Sequence, residues 1–241
     1  MNRVILLFLL LFLFGCQNSK EKTLTIAVAS NMQFAMEELE KDFEKSSVIN
    51  CDIVYSSSGK LTTQILEGAP FDVFISADTI FVQEVHARGF TSEPPKIYAY
   101  GKLVLMSGNP AFELSLDKLE KVEHIALPNP KTAPYGIAAQ EVLEHLQQLN
   151  NSDKFVYGES ISQVNQFIVS GASEVGFTSL STALSNKMTG NFIEVPKDAY
   201  TPIAQAAIPL NNKPETMEFF NFLYTDKAKE ILGKFGYLIP E

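Results

Sequence analysis

Tyr55-Ser-Ser-Ser58-Gly-Lys-Leu61, followed by Glu67-Gly-Ala-Pro-Phe-Asp-Val-Phe-Ile-Ser-Ala-Asp78, is the stretch on which the fold turns. The residues 51–56 predict a strand that runs into a serine cluster. A short helix follows over 59–67, with Leu61, Ile65 and Leu66 on one side and Gly68 at its end. Phe71–Ile75 then reads as a buried strand that stops at Ser76-Ala-Asp78. Strand, helix, strand within so few residues is the unit of an α/β fold. Ser58 stands where the first strand hands over to a helix start, where unpaired N–H groups and the helix dipole suit an anion. A plain helix-capping role accounts for a serine there as well.

The same alternation extends in both directions. Upstream, residues 23–29 (Thr-Leu-Thr-Ile-Ala-Val-Ala) predict a strand covered on both faces. Ser30-Asn31 ends it, and Met32, Ala35, Met36, Leu39 and Phe43 recur at helical spacing, with Ser30 and Gln33 expected to form a capping box. Downstream, a helix over 79–88 ends at Gly89. Residues 97–106 then form one long β-prone run interrupted by Gly101, the mark of a bend or crossover. A second series follows: strand 124–127, helix 135–149, strand 155–157, a helix opened by Ser160 with Gln163 as its box partner, strand 174–178, a short helix, and strand 191–195. After an apolar run over 204–210, two helices close the chain at 214–224 and 226–235.

The series breaks near 98–102 and again near Tyr200. We therefore expect two lobes, each a mostly parallel sheet flanked by helices, joined by two crossings. Lobe 1 takes residues 23–99 and 203–241, and lobe 2 takes 100–202.

The first residues lie outside this pattern. Arg3 precedes an unbroken apolar run over 4–14, the length of a signal-peptide core and too short for an ordinary membrane span. Leu13-Phe-Gly-Cys16 then leads into a polar tether over 16–22. This looks like a bacterial lipoprotein signal over 1–15, with Cys16 lipidated, and implies a periplasmic or cell-surface protein anchored to the membrane. From Cys16 onward, eighteen basic residues face twenty-eight acidic ones, a net charge of −10. That balance speaks against nucleic acid as a partner. With Cys16 lipidated, Cys51 is the one thiol left and an internal disulfide is excluded; a buried, inert role is expected for it. His86, His124 and His145 show no metal-ligand spacing, so no free metal cation is expected. Catalysis is not expected either. There is no Gly-x-Ser-x-Gly elbow, and Ser58-Gly-Lys lacks the flanking residues of a phosphate-binding P-loop.

Four loops at the carboxyl ends of strands remain: Ser30-Asn31, Ser56–Gly59, Ala133–Gly136 and Ser160-Ile161. Each opens a helix, two belong to each lobe, and ligands of open α/β sheets bind at that edge. Facing one another, they would make a cleft of hydroxyls and N–H donors without a carboxylate, provided that Glu159 points to solvent. Such a cage suits a fully deprotonated oxyanion, because every ligand oxygen can accept.

Ala-Ser-Asn-Met (29–32), Ser-Ser-Ser-Gly-Lys-Leu (56–61), the run 68–78 and Ala-Pro-Tyr-Gly (133–136) together resemble the molybdate-binding periplasmic proteins of ABC importers. The resemblance spans residues 23–237. It implies a two-lobed periplasmic-binding-protein (type II) fold that closes on molybdate or tungstate and delivers it to a membrane permease, with no cofactor and as a monomer. Matched one by one, the family's binding positions fall on Ser30, Asn31, Ser58, Tyr135 and, through its N–H, Ile161. One departure stands out: some members carry a tyrosine near Thr178 or Ser179, and Phe177-Thr-Ser-Leu-Ser has none. Asn31 or Tyr135 is the expected replacement donor. The alternative ligand is sulfate or another small tetrahedral oxyanion, since donor geometry alone does not separate them.

Overall fold

The computed structural model describes residues 22–185 and 190–240. The expected signal segment 1–15, the lipidation site Cys16 and the tether up to residue 21 lie outside the described residues. Among the described residues no helix is long and apolar enough to cross a membrane.

The first lobe begins with β1 (Lys22–Ala29), a 3₁₀ turn (Ser30–Met32) and α1 (Gln33–Ser46). It continues with β2 (Ile49–Ser56), α2 (Ser58–Leu66), β3 (Val73–Ile75), α3 (Ile80–Ala87) and β4 (Lys96–Gly101). The second lobe holds β5 (Leu103–Ser107), β6 (Ile125–Pro128), α4 (Pro134–His145), β7 (Phe155–Gly158) and α5 (Ile161–Ser170). It ends with β8 (Val175–Ser179), α6 (Leu180–Ala183) and β9 (Asn191–Glu194). The chain then returns as β10 (Ile203–Pro209), α7 (Pro214–Phe222) and α8 (Asp226–Lys234).

The two five-stranded sheets share one plan: β2-β1-β3-β10-β4 and β7-β6-β8-β5-β9. In the first, β1 pairs parallel with β2 and β3, while β10 runs against β3 and β4. In the second, β6 pairs parallel with β7 and β8, while β5 runs against β8 and β9. The strand that opposes its sheet-mates is in each case the one that has just crossed from the other lobe. The first crossing is a single residue, Lys102, so the long β-prone run predicted over 97–106 serves two sheets. Gly101 sits at this joint because a side chain there would collide with Tyr135 Oη and Gln205 Nε2.

Strand alternation explains why both faces of each sheet are apolar. In lobe 1, Leu24, Ile26, Val28, Val73 and Ile75 pack toward α1 and the closing helices, where Phe43 meets Phe219 edge-on at 5.0 Å. Ala27, Phe74 and Ile208 point the other way, onto Leu61, Ile65, Val82 and Val85. In lobe 2, Leu105, Leu127 and Phe177 face Ala138, Ala139 and Val142 of α4, and Ala126 faces Val164 and Ile168 of α5. Each buried Val, Leu, Ile or Phe among them contributes roughly 1.5–3 kcal/mol. Cys51 is half-buried against the first of these clusters, and its thiol is pushed up to about 12, first by burial and then by Glu44 and Glu40. It is a structural thiol, as expected.

One local expectation fails. Ser30 does not cap α1. It enters the 3₁₀ turn, α1 starts three residues later with Met32 at the N-cap, and no side-chain cap bond forms there. The second box holds in part. Ser160 Oγ accepts the Gln163 N–H at 3.3 Å, but the Gln163 side chain reaches back to the N–H of Glu159 instead of that of Ser160.

Candidate anion-binding site

The carboxyl ends of β1, β2 and β3 meet the starts of α4 and α5 across the seam between the lobes. One small cavity lies there, lined by Ser30 and Asn31 from the 3₁₀ turn, Ser57 and Ser58 from the start of α2, Tyr135 from α4, and Ile161 from α5. Ala29, Ala77, Ala133 and Pro134 complete the wall. All five residues expected from the sequence therefore converge, although they come from four loops and two lobes. The wall contains neither a carboxylate nor an ammonium or guanidinium group.

Backbone geometry supplies the donors. Asn31, Ser58, Tyr135 and Ile161 occupy the first turn of their respective helices or turn, where N–H groups have no intrahelical acceptor. The three α-helix starts also aim the positive ends of their dipoles at one point. Ser58 Oγ accepts the Ala77 N–H at 3.0 Å, which leaves its own hydroxyl proton to donate.

The hollow is small, ≈10 Å³, the scale of one water-sized sphere, which excludes an organic solute. A larger hollow of ≈240 Å³ lies nearby between Ile80, Ile137 and Pro202. It is walled by the carboxyl groups of Asp78 and Glu141, which disfavour an anion.

Nearby charges are turned away. Glu159 takes a hydrogen bond from Asn129 Nδ2 at 3.2 Å and pairs with Lys60 Nζ at 3.2 Å. Asn129 and Lys60 hold its carboxyl below the usual range, and it faces solvent, as expected. Burial raises the Asp78 carboxyl, which is spent on the Phe81 N–H and the Ser76 hydroxyl at the start of α3.

One expectation is corrected. The Asn31 side chain is not a cavity donor: its Nδ2 donates to Gln205 Oε1 and to Tyr237 Oη, both at 3.0 Å. Asn31 faces the cavity through its backbone. The Tyr135 hydroxyl accepts from Gln205 Nε2 at 3.1 Å, which leaves its own proton to donate, and burial pushes it well above the ordinary phenol range. Of the two expected replacement donors, the Asn31 side chain is spent elsewhere and the Tyr135 hydroxyl keeps its proton. Behind the cavity these groups form one buried network. Tyr98 Oη donates to Gln205 Oε1 at 2.8 Å, and Ser181 Oγ donates to Asn31 O at 2.6 Å. Gln205 and Ser181 escaped the sequence reading because their contacts with Asn31 span 174 and 150 residues.

The seam is closed by direct contacts. Gly59 N–H donates to Thr132 O at 2.9 Å, and Ser162 Oγ donates to Gln33 Oε1 at 3.2 Å. Elsewhere among the described residues, Glu123, His124 and Glu174 bring potential metal-ligating atoms within 4.8 Å of one another. They sit at the amino ends of β6 and β8, the sheet edge away from the cavity, and both Glu174 oxygens already accept backbone N–H groups.

Comparison with known proteins agrees with this architecture. The molybdate-binding protein ModA of Azotobacter vinelandii is 35% identical over 222 residues, covering 88% of this chain and 88% of the relative. ModA of Rhodobacter capsulatus is 36% identical over 219 residues, 88% of this chain and 86% of the relative. The solved structure of the Azotobacter vinelandii periplasmic molybdate-binding protein superposes with a TM-score of 0.85 at 31% identity, over 90% of this chain and all of that one. A family model for bacterial extracellular solute-binding proteins matches residues 24–238, which takes in both sheets, both crossings and every loop around the cavity. A match of that extent makes the chain a member of the bacterial extracellular solute-binding protein family.

Proposed function

We propose that this protein captures a molybdate or tungstate dianion between its lobes and hands it to the permease of an ABC importer. The carrying observation is the make-up of the cavity wall: residues at helix starts of both lobes, three serines among them, and no carboxylate. A dianion leaving water loses a large hydration energy, and only converging donors can replace it. Hydrogen bonds to a charged acceptor contribute about 1.5–3 kcal/mol each. The two lobes, expected as 23–99 with 203–241 and 100–202, divide at Lys102, because Tyr100 and Gly101 pair with β10 of the first sheet. The ion enters between them while they are apart. The Gly59–Thr132 and Ser162–Gln33 bonds then form as the α2, α4 and α5 starts close on it. Binding involves no bond making or breaking, so the protein is a receptor and not an enzyme. It acts as a monomer, needs no cofactor, and takes molybdenum only as the oxyanion.

The decisive measurement is titration calorimetry with molybdate, tungstate, sulfate and phosphate. Molybdate and tungstate should bind tightly, with sulfate and phosphate far weaker. Tight sulfate binding with none for molybdate would refute the reading. The protein works outside the cytoplasm, and the sequence over 1–16 supports an anchor on lipidated Cys16. Mass spectrometry of the mature N-terminus should find acylated Cys16; an unmodified terminus at another residue would end that part of the proposal.

A further inference from the structure

Ser57 occupies the N-cap position of α2, where a serine ordinarily accepts an N–H of the first turn. It makes no such bond. The Gly59 N–H, one of the two groups it could cap, is taken by Thr132 O across the seam. Its hydroxyl is thereby released. Ser57 is only 3% exposed, its Oγ is shut off from solvent, and that oxygen has no hydrogen-bond partner. The residue lines the cavity beside Ser58. A buried hydroxyl without a partner is costly, and native structures keep one where it has work to do.

We propose that Ser57 Oγ is a further donor to the bound oxyanion. It supplies a hydroxyl where Phe177-Thr-Ser-Leu-Ser181 has no tyrosine and where the Asn31 side chain is spent on Gln205 and Tyr237. The inference rests on the cavity being the oxyanion site. It also gives the capping failure a purpose: the bond that closes the lobes frees the hydroxyl that meets the ligand. Closure and recognition are then linked through one helix start.

The test is calorimetry and ligand-free thermal unfolding on the full chain, comparing wild type with Ser57→Ala, Ser57→Gly and Ser57→Thr, using molybdate, tungstate and sulfate as probes. Loss of the hydroxyl should raise the Kd of whichever oxyanion the wild type binds by roughly tenfold or more. The Tm without ligand should stay the same or rise in Ser57→Ala, because an unsatisfied group is removed. Ser57→Thr, which keeps a hydroxyl, should retain most of the affinity. A Kd within twofold of wild type in both Ser57→Ala and Ser57→Gly overturns the assignment of Ser57 while leaving the oxyanion site standing. A wild type that binds none of the probes overturns both.

Discussion

Replacing Gly59 by alanine should weaken oxyanion binding without touching the ligand. Gly59 lies in the first turn of α2, against the loop that precedes α4. An added Cβ would stand 3.0 Å from Thr132 Cα, 3.1 Å from Thr132 O and 3.0 Å from Phe81 Cζ. The phenyl ring can swing aside, whereas the Thr132 backbone is fixed by the Thr132 and Ala133 N–H bonds to Asn129 O. Carbon contacts relax at about 3.5 Å, so the two loops must part by about half an ångström. The 2.9 Å bond from Gly59 N–H to Thr132 O would stretch accordingly, beyond the normal range. Overpacking of this kind costs about 1–3 kcal/mol, which corresponds to a 5- to 150-fold rise in Kd. The intrinsic helix preference for alanine over glycine, up to about 1 kcal/mol, acts on open and closed forms alike and cancels in binding. Titration calorimetry with molybdate measures the first effect, and urea unfolding without ligand measures the second. A Gly59→Ala protein that binds within twofold of wild type would show that the Gly59–Thr132 seam is no part of the ligand-holding state, and the account of closure would fall.

Three other perturbations test separate parts of the structure. Ser58→Ala removes a ligand donor and the acceptor of the Ala77 N–H. Its Kd should rise about 10- to 150-fold, with a loss of roughly 1–3 kcal/mol in unfolding free energy; an unchanged Kd removes Ser58 from the site. Gln205→Leu removes a partner from each of Asn31 Nδ2, Tyr98 Oη and Tyr135 Oη in a dry interior, the first keeping Tyr237 Oη and the second Ser76 O. Urea unfolding should report a loss of about 2–4 kcal/mol, and a loss under about 0.5 kcal/mol would mean that the network reorganises freely. Asp72 accepts from Thr25 N–H, Asn211 Nδ2 and Lys213 Nζ at 2.9, 2.8 and 2.9 Å. Burial works to raise its carboxyl, but these partners outweigh it and hold the group below its ordinary 3.8. A depressed folded value stabilises the protein above pH 3.8, and that stability is lost as pH falls through the folded value. Asp72→Asn should thus lose about 1–3 kcal/mol near pH 7, with the gap to wild type shrinking below about pH 4. A pH-independent gap would assign the loss to packing.

Much of this was legible in the residues because it is local. Gly101 inside the 97–106 run marked the first crossing, and the small, apolar, two-sided character of β1 announced a sheet covered on both faces. The four loops were found because a strand end followed by a helix start leaves donors free whatever the rest of the fold does. What escaped was decided by distance or by direction. Whether Ser30 caps α1 depends on a 3₁₀ turn that no residue type signals. Which of Ser57 and Ser58 keeps a free hydroxyl depends on Thr132, in the other lobe. The turn of the Asn31 amide away from the cavity depends on Gln205 and Tyr237, which follow it by 174 and 206 residues.

The placement of β10 has a consequence for how such a chain is made. It fills the slot between β3 and β4, yet β4 ends at Gly101 and β10 begins at Ile203. A nascent chain that has emerged as far as Gly101 carries a sheet with a strand-wide gap, its ladder unfinished on both sides. Neither half can therefore be cut out and expressed as an independent unit by severing the chain once, and the first sheet of a translocating chain stays incomplete until Ile203–Pro209 has arrived.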